Sequence, residues 1–127
     1  MKIFGIGTDI VKISRIKKSI KNSSFISRVY NKEEILKCKK NFNKSNCFAK
    51  RFAAKEAFTK AVGTGIAKGI KLNEIVVLNE KNGKPFIKLI ANTKKKVEMK
   101  LKKKKFRVSL SIADEKSYAV AFVAISV

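Results

Sequence analysis

The chain has 127 residues, enough for one compact domain, and we predict a single domain spanning residues 1–127. Hydrophobic residues make up 45 % of it, which excludes wholesale disorder. A formal net charge of +22 indicates anionic partners, such as phosphorylated metabolites, acidic proteins, nucleic acids or anionic membranes. Since no apolar run approaches the roughly 18–20 residues that span a bilayer, we expect a soluble, cytoplasmic protein with no membrane partner.

The N-terminal third begins with a strand and a short helix. β-Branched residues predict a strand over residues 3–11, in which Gly5 and Gly7 permit a bend or a close approach of another element. The segment SRIKKSIK, residues 14–21, is expected to form one or two basic helical turns. Further along, Asn31 followed by Glu34 resembles a helix-start capping pattern, for a helix ending near residue 40.

The middle of the chain predicts a long helix followed by a hairpin. After a loop over residues 41–47, the major helix should run from about Cys47 to Val62 and stop at Gly63, a common C-cap. Asn82-Gly83 is the strongest hairpin signal in the chain, with Pro85 at the start of the hairpin's second strand.

The C-terminal part predicts one helix and two strands. A lysine-rich helix is expected over residues 93–105, and its lysines favour a solvated face over a docking site. Residues 106–113 alternate between apolar and polar side chains, as in a strand with one buried face. Residues 118–127 are apolar on both faces, which indicates a central or sandwiched strand. The predicted fold class is α+β, with an antiparallel sheet and a long central helix.

Cys38 and Cys47 are the only cysteines, and the chain has no histidine. Two thiols alone do not complete a four-ligand zinc site built from nitrogen and sulfur donors. We expect two free thiols in a reducing compartment, with a disulfide as the alternative.

Two of the nine acidic residues lie in apolar surroundings. Asp9 lies on the first strand and Glu56 lies in the middle of the major helix, whereas the other seven have ordinary contexts, Glu34 for example in the first turn of a helix. A carboxylate removed from water must be paired, bound to a cation or protonated. Glu56 could simply pair with Lys60 four residues on, and Asp9 could cap a turn. The alternative is a divalent-metal site that both carboxylates share.

Residues suited to phosphate binding surround Glu56. Arg51 precedes it, Lys55 and Lys60 flank it, and the turn Gly63-Thr64-Gly65 follows at the helix end, where backbone can approach a ligand closely. Magnesium prefers one or two carboxylates together with phosphate oxygens and water. The combination is what a magnesium–pyrophosphate site requires.

Several motifs together resemble the holo-[acyl-carrier-protein] synthases, the small phosphopantetheinyl transferases. They are GIGTDIV with Arg15 soon after, RFAAKEAFTKAVGTGI, NGKP, and VSLS followed by YAVA, in the family's order over nearly the whole chain. The resemblance implies transfer of the 4′-phosphopantetheine arm of coenzyme A to a serine of apo acyl carrier protein, releasing adenosine 3′,5′-bisphosphate. It also implies the phosphopantetheinyl transferase fold, magnesium, a role in fatty acid biosynthesis, and a homotrimer with active sites at subunit interfaces.

The resemblance also implies roles for individual residues. Asp9 and Glu56 match the family's magnesium ligands, and Lys60 matches a lysine near the reacting phosphate. Arg51 matches the arginine that opens the helix motif, which contacts coenzyme A phosphates. Arg15 falls in the basic segment that docks the acidic carrier protein, and Lys17, Lys18 and Lys21 are expected to share in this docking.

One position departs from the family pattern. The family commonly has Ser-x-Ser-His where this chain has Ser109-Leu110-Ser111-Ile112, so no role of that histidine carries over. Alternation places Ile112 on the apolar face, where packing is expected to replace the histidine. The base that takes the serine proton stays open between Glu56 and a water on the metal.

A nucleic-acid-binding module is the competing interpretation. The charge and the lysine-rich helix favour it. Against it, the chain has no RNA- or DNA-binding motif, and its aromatic residues do not interleave with basic ones. It also leaves Asp9 and Glu56 unexplained, so we expect no nucleic-acid partner.

Overall fold

A computed structural model describes residues 1–63 and 69–127 of the chain. The helices and strands follow one another in this order: β1 (Ile3–Lys12), α1 (Ile13–Ser19), α2 (Ser23–Val29), α3 (Lys32–Lys40), α4 (Lys44–Val62), a 3-10 turn (Leu72–Glu74), β2 (Ile75–Asn79), β3 (Pro85–Leu89), α5 (Ala91–Leu101), β4 (Arg107–Asp114) and β5 (Tyr118–Ser126).

The five strands form two antiparallel sheets. The larger has the order β1-β5-β4, so the C-terminal strand lies in the centre, as its apolar character predicts. The hairpin of β2 and β3 forms the second sheet, with Pro85 as the first residue of β3. The α+β class is confirmed, but the single antiparallel sheet that we expected is divided in two.

Helix α4 packs across the inner face of the larger sheet. A Cβ atom on Gly7 would collide with the carbonyl oxygen of Ala57, and one on Gly5 would collide with that of Ala61. Only a residue without a side chain permits this approach of strand to helix. The close approach expected from the two glycines is therefore confirmed, and α4 supplies it.

Two capping motifs predicted from the sequence are confirmed, one at the start of α3 and one at the end of α4. Asn31 and Glu34 form a complete capping box at the start of α3. Gly63 ends α4 with a φ of 91°, in the left-handed region that suits glycine.

Two features of the helical part differ from the predictions. Residues 23–29, for which we predicted no element, form α2, because the Asn22 side chain accepts hydrogen bonds from the backbone of Ser24 and Phe25. Helix α4 begins at Lys44, inside the predicted loop, because Asn43 caps it.

Helix α5 also differs in its bounds from the predicted span of 93–105. It begins at Ala91 and ends at Leu101, since Lys102 adopts a left-handed conformation with a φ of 57°. The apolar stripe of Val97 and Leu101 is buried as expected.

The expectation of two free thiols is wrong in this structure, in which Cys38 and Cys47 form a disulfide. The early start of α4 brings its first turns against the last turn of α3. The two Cα atoms are consequently 5.4 Å apart, within the range for a disulfide, and both residues are buried.

The outer face of the larger sheet is open and apolar. Strand β1 exposes Ile6 and Ile10 there, and β5 exposes Tyr118, Val120 and Phe122. The register places these side chains next to one another, with Ile10 opposite Val120.

Within residues 1–63 and 69–127, we find no helix with both the length and the apolar character needed to traverse a bilayer.

Candidate active site

Asp9 lies in the middle of β1, opposite Ala121 of the central strand. Side chains two residues apart share a face of a strand, so Asp9 points to the same side as Gly7, toward α4. Its side chain is 17 % exposed. Asp9 therefore does not cap a turn, which was the alternative interpretation.

Glu56, on α4, lies close enough to Asp9 for their charges to interact. The pKa of Glu56 is raised by burial and by repulsion from Asp9, and the cations Lys60 and Arg15 oppose this increase. The pKa of Asp9 is raised by burial, again with Lys60 and Arg15 acting against it. Two half-buried carboxylates that repel each other are suited to binding a divalent cation, which would stabilise both charges.

Lys60 joins this pair from the next turn of α4. Its amino group donates to the carbonyl oxygen of Thr8 at 3.0 Å and lies 3.4 Å from the Asp9 carboxylate. The simple pairing of Glu56 with Lys60 is not among the ion pairs of the described residues, because Lys60 turns to Asp9 instead. With its side chain 55 % exposed, Lys60 can also reach a bound anion.

Arg51 lies elsewhere, in a cavity between α3, α4 and the β2–β3 hairpin. The cavity has a volume of about 470 Å³. Its charged lining residues are four basic and two acidic: Lys37, Lys50, Arg51, Lys81, Glu80 and Asp114. Glu56 follows Arg51 by five positions, a rise of about 7.5 Å along a helix. Within one chain, the structure therefore brings Asp9, Glu56 and Lys60 together and places Arg51 in a neighbouring basic cavity.

The expected roles of Lys55 and Glu34 need correction. Lys55 is fully buried and donates to the Glu34 carboxylate at 2.7 Å and to the carbonyl oxygens of Leu72 and Ile75. Burial lowers the pKa of Lys55 to about 8, although Glu34 opposes the change. Lys55 is thus a structural cation and does not face a phosphate site. Glu34, which we expected only as a residue of the first turn of a helix, is its buried partner.

Ile112, at the position of the absent histidine, contributes to the cavity wall. It also packs against the hydrophobic core, in agreement with the expected replacement by packing. Of the predicted glycine turn, Gly63 is described, and a Cβ atom added to it would meet no atom of the described, non-adjacent residues within 4 Å. Thr64 and Gly65 lie outside the described residues.

Sequence reasoning missed Asn79 and Asp114. Asn79, at the end of β2, accepts hydrogen bonds from Lys37 and Arg51. Asp114 accepts one from Asn46 at 2.7 Å. No local pattern marks these residues, since their partners are between 28 and 68 positions away in the chain.

Comparison with known proteins gives matches that cover nearly the whole chain. The family model of the 4′-phosphopantetheinyl transferase superfamily matches residues 5–123. The holo-[acyl-carrier-protein] synthase of Pelagibacter ubique is 50 % identical over 123 residues, which cover 97 % of this chain and 96 % of that protein. The crystal structure of the Neisseria meningitidis synthase superposes with a TM-score of 0.86 at 39 % identity and 98 % coverage of both chains.

A second solved structure carries a ligand. The Bacillus anthracis holo-(acyl-carrier-protein) synthase, in complex with CoA (3′,5′-ADP), has a TM-score of 0.80 and 35 % identity. The match covers 99 % of this chain and 98 % of that one.

Proposed function

Since this chain belongs to the 4′-phosphopantetheinyl transferase superfamily, we infer that it catalyses the holo-[acyl-carrier-protein] synthase reaction. It transfers the 4′-phosphopantetheine arm of coenzyme A to a serine of apo acyl carrier protein and releases adenosine 3′,5′-bisphosphate, in support of fatty acid biosynthesis. The observation that carries this conclusion is the match of nearly the whole chain to a holo-[acyl-carrier-protein] synthase at 50 % identity. The convergence of Asp9, Glu56 and Lys60 supports it independently.

Asp9 and Glu56 would hold Mg²⁺. Two carboxylates on different elements, half-buried and mutually repelling, supply the donor set that magnesium takes from proteins when phosphate and water complete its coordination. Bound there, magnesium would neutralise pyrophosphate charge and make the reacting phosphorus more electrophilic. Within residues 1–63 and 69–127, no third cysteine, aspartate or glutamate joins the pair. The site would therefore keep coordination positions free for substrate.

Lys60 would stabilise negative charge on the reacting phosphate. Phosphoryl-type transfer depends mainly on positioning and charge stabilisation. The Lys60 amino group is anchored to the carbonyl oxygen of Thr8, yet its side chain remains half exposed. It can therefore donate to a phosphate oxygen without losing its position next to Asp9.

The basic cavity around Arg51 would receive phosphate groups of coenzyme A. Arg51 is only 5 % exposed, and desolvation lowers the pKa of its guanidinium, so an anion in the cavity would interact with it in a medium of low dielectric. The roles proposed for Gly63, Thr64 and Gly65 at the end of α4 stay predictions.

A homotrimer would cover the open face of the larger sheet. Five large side chains of β1 and β5 are exposed there, and contiguous apolar patches of this kind mark interaction sites. Covering this face with other copies of the chain would place subunit boundaries next to β1, which carries Asp9. The active sites would then lie at interfaces between subunits.

The acidic carrier protein would dock on the basic residues of α1 and the turn after it. Arg15, Lys17, Lys18 and Lys21 are exposed. Positive charge accelerates the encounter with an acidic partner. Arg15 also influences the pKa values of Asp9 and Glu56, so the docking surface adjoins the reacting centre. The cytoplasmic location stays a prediction.

One assay tests the proposed function. The purified protein is incubated with coenzyme A, Mg²⁺ and apo carrier protein, and the carrier is then weighed by mass spectrometry. We expect the carrier to gain the mass of one phosphopantetheine arm, only when Mg²⁺ is present. No mass gain, combined with tight, salt-sensitive RNA binding, would favour the nucleic-acid-binding alternative.

A further inference from the structure

We propose that Asn79 is a positioning residue for coenzyme A binding, which gathers Lys37 and Arg51 at the basic cavity without neutralising either cation. The inference rests on the proposed function, since it assumes that the positive charge of the cavity binds the phosphates of coenzyme A. Asn79 is the last residue of β2 and lines the cavity together with both cations.

The Asn79 side chain uses both ends of its amide. Its Oδ1 atom accepts from Lys37 Nζ at 2.8 Å and from Arg51 Nη2 at 3.0 Å. Its Nδ2 atom donates to the carbonyl oxygen of Gly83 at 3.0 Å. The bond to the hairpin turn orients the amide so that its oxygen faces the two cations. One side chain therefore connects α3, α4 and the β2–β3 hairpin.

The cations that Asn79 gathers repel one another. Desolvation, followed by the charges of Arg51 and Lys50, lowers the pKa of Lys37. Such a cluster needs an acceptor that holds it together. An amide oxygen accepts hydrogen bonds from both groups and leaves their charge available, whereas a carboxylate would cancel part of it.

The other hydrogen bonds of Arg51 also go to uncharged groups, and the nearby Glu34 carboxylate, which favours the charged form of Arg51, is paired with Lys55. Its Nη1 atom donates to the Cys47 carbonyl oxygen at 3.3 Å and to the Cys47 sulfur at 3.2 Å. Its Nε atom is buried and has no hydrogen-bond partner in the described part of the chain. Neither Arg51 nor Lys37 forms a salt bridge within residues 1–63 and 69–127. The guanidinium is thus fixed in place while its charge is left for an incoming anion.

Two variants of Asn79 distinguish its role in positioning the two cations from its effect on the net charge of the cavity. Asn79→Ala removes the acceptor, and Asn79→Asp keeps the shape of the side chain but adds a negative charge. We expect each to raise the KM for coenzyme A by roughly three- to tenfold, with kcat within about twofold of wild type. In Asn79→Asp, the KM should also depend less steeply on salt concentration, because the cavity has lost net positive charge. Asn92→Asp, an exposed position outside the cavity, is the matched control for net charge and should behave as wild type.

Thermal unfolding is measured for every variant, and the kinetics are recorded well below each midpoint. An unchanged KM in both Asn79 variants, with wild-type transfer intact, would overturn the inference and leave the proposed function standing. A lower KM in Asn79→Asp would also overturn it, since added negative charge should not help an anion to bind. If the wild-type protein transfers no phosphopantetheine, the proposed function itself is wrong.

Discussion

The Lys60 amino group of α4 lies 3.4 Å from the Asp9 carboxylate of β1, although the two residues are 51 positions apart in the chain. The same amino group donates to the carbonyl oxygen of Thr8, so it connects helix and strand at two points. Gly7 permits this contact, because any side chain there would meet the α4 backbone. Because Gly7 has no side chain, β1 can approach α4 closely enough for Asp9, two residues further on, to meet Lys60.

Replacing Glu56 with Gln should abolish magnesium-dependent turnover and leave the protein folded. Loss of a residue that only supports a metal ligand costs about 10- to 100-fold in activity, so loss of a ligand should cost at least about 100-fold. Without metal, the variant should be more stable than wild type, because it removes a half-buried charge that repels Asp9. Turnover is measured against Mg²⁺ concentration, and stability by urea unfolding in EDTA.

Glu33→Gln is the matched control, since Glu33 is an exposed glutamate on another helix. It should retain wild-type turnover and magnesium dependence. The assignment of Glu56 as a ligand is wrong if Glu56→Gln keeps an unchanged response to magnesium.

The raised pKa of Glu56 predicts how the stability of the metal-free protein depends on pH. Because the folded pKa lies above the ordinary value of 4.5, the folded state holds more protons than the unfolded state between the two values. The stability that Glu56 contributes is therefore present below pH 4.5 and decreases as the pH rises through the folded pKa.

Urea unfolding in EDTA across this range, compared between wild type and Glu56→Gln, isolates the contribution of Glu56. We expect the stability advantage of the variant to grow from acid to neutral pH, and to shrink when saturating Mg²⁺ is added to the wild type. An advantage that is the same at every pH would show that the carboxylate does not titrate with a raised pKa.

Replacing Phe122 with Glu should disrupt the proposed trimer. Phe122 is 46 % exposed on the open sheet face, where a charge would be buried without a partner if subunits covered it. Light scattering after size exclusion should give three times the chain mass for wild type and the chain mass for the variant. Met99→Glu, at an exposed apolar position on α5, should leave the mass unchanged. A monomeric wild-type protein would contradict the proposal.

Reversing two charges on α1 should weaken carrier docking alone. In the double variant Lys17→Glu and Lys18→Glu, the KM for carrier protein should rise about tenfold at low salt, because electrostatic attraction accelerates association. The KM for coenzyme A should not change. Reversing Lys95 and Lys100, on the lysine-rich α5, is the control of equal charge. A larger effect from that pair would move the docking surface to α5.

Removing the disulfide should destabilise the chain moderately. Cys38 and Cys47 are nine residues apart, and closing a loop of this size stabilises a protein by about 2–3 kcal/mol on the chain-entropy model. The double variant Cys38→Ser and Cys47→Ser should lose this amount in urea unfolding, and a reducing agent should affect the wild type only. An identical response of wild type and variant to the reducing agent would mean that the thiols are not bonded.

Local sequence signals determined much of this protein. The capping box of Asn31 and Glu34, the C-cap at Gly63 and the hairpin at Asn82-Gly83 are decided within a few residues, so the sequence predicts them directly. The alternation of β4 likewise predicts a strand with its apolar side chains on one face, and the apolar character of β5 predicts that this strand is central. Apolar surroundings in the sequence distinguish Asp9 and Glu56 from the other seven acidic residues.

Only the tertiary structure decided which distant side chains meet. The sequence predicts Glu34 only as a residue of the first turn of a helix, yet it is fully buried against Lys55, 21 positions away. Asn79 gathers cations from two helices, and Cys38 reaches Cys47 because α4 starts earlier than the loop-like segment suggests. The physical reason is that capping and alternation are set by neighbours along the chain. Ion pairs, disulfides and cavities instead depend on how completed helices and strands pack together.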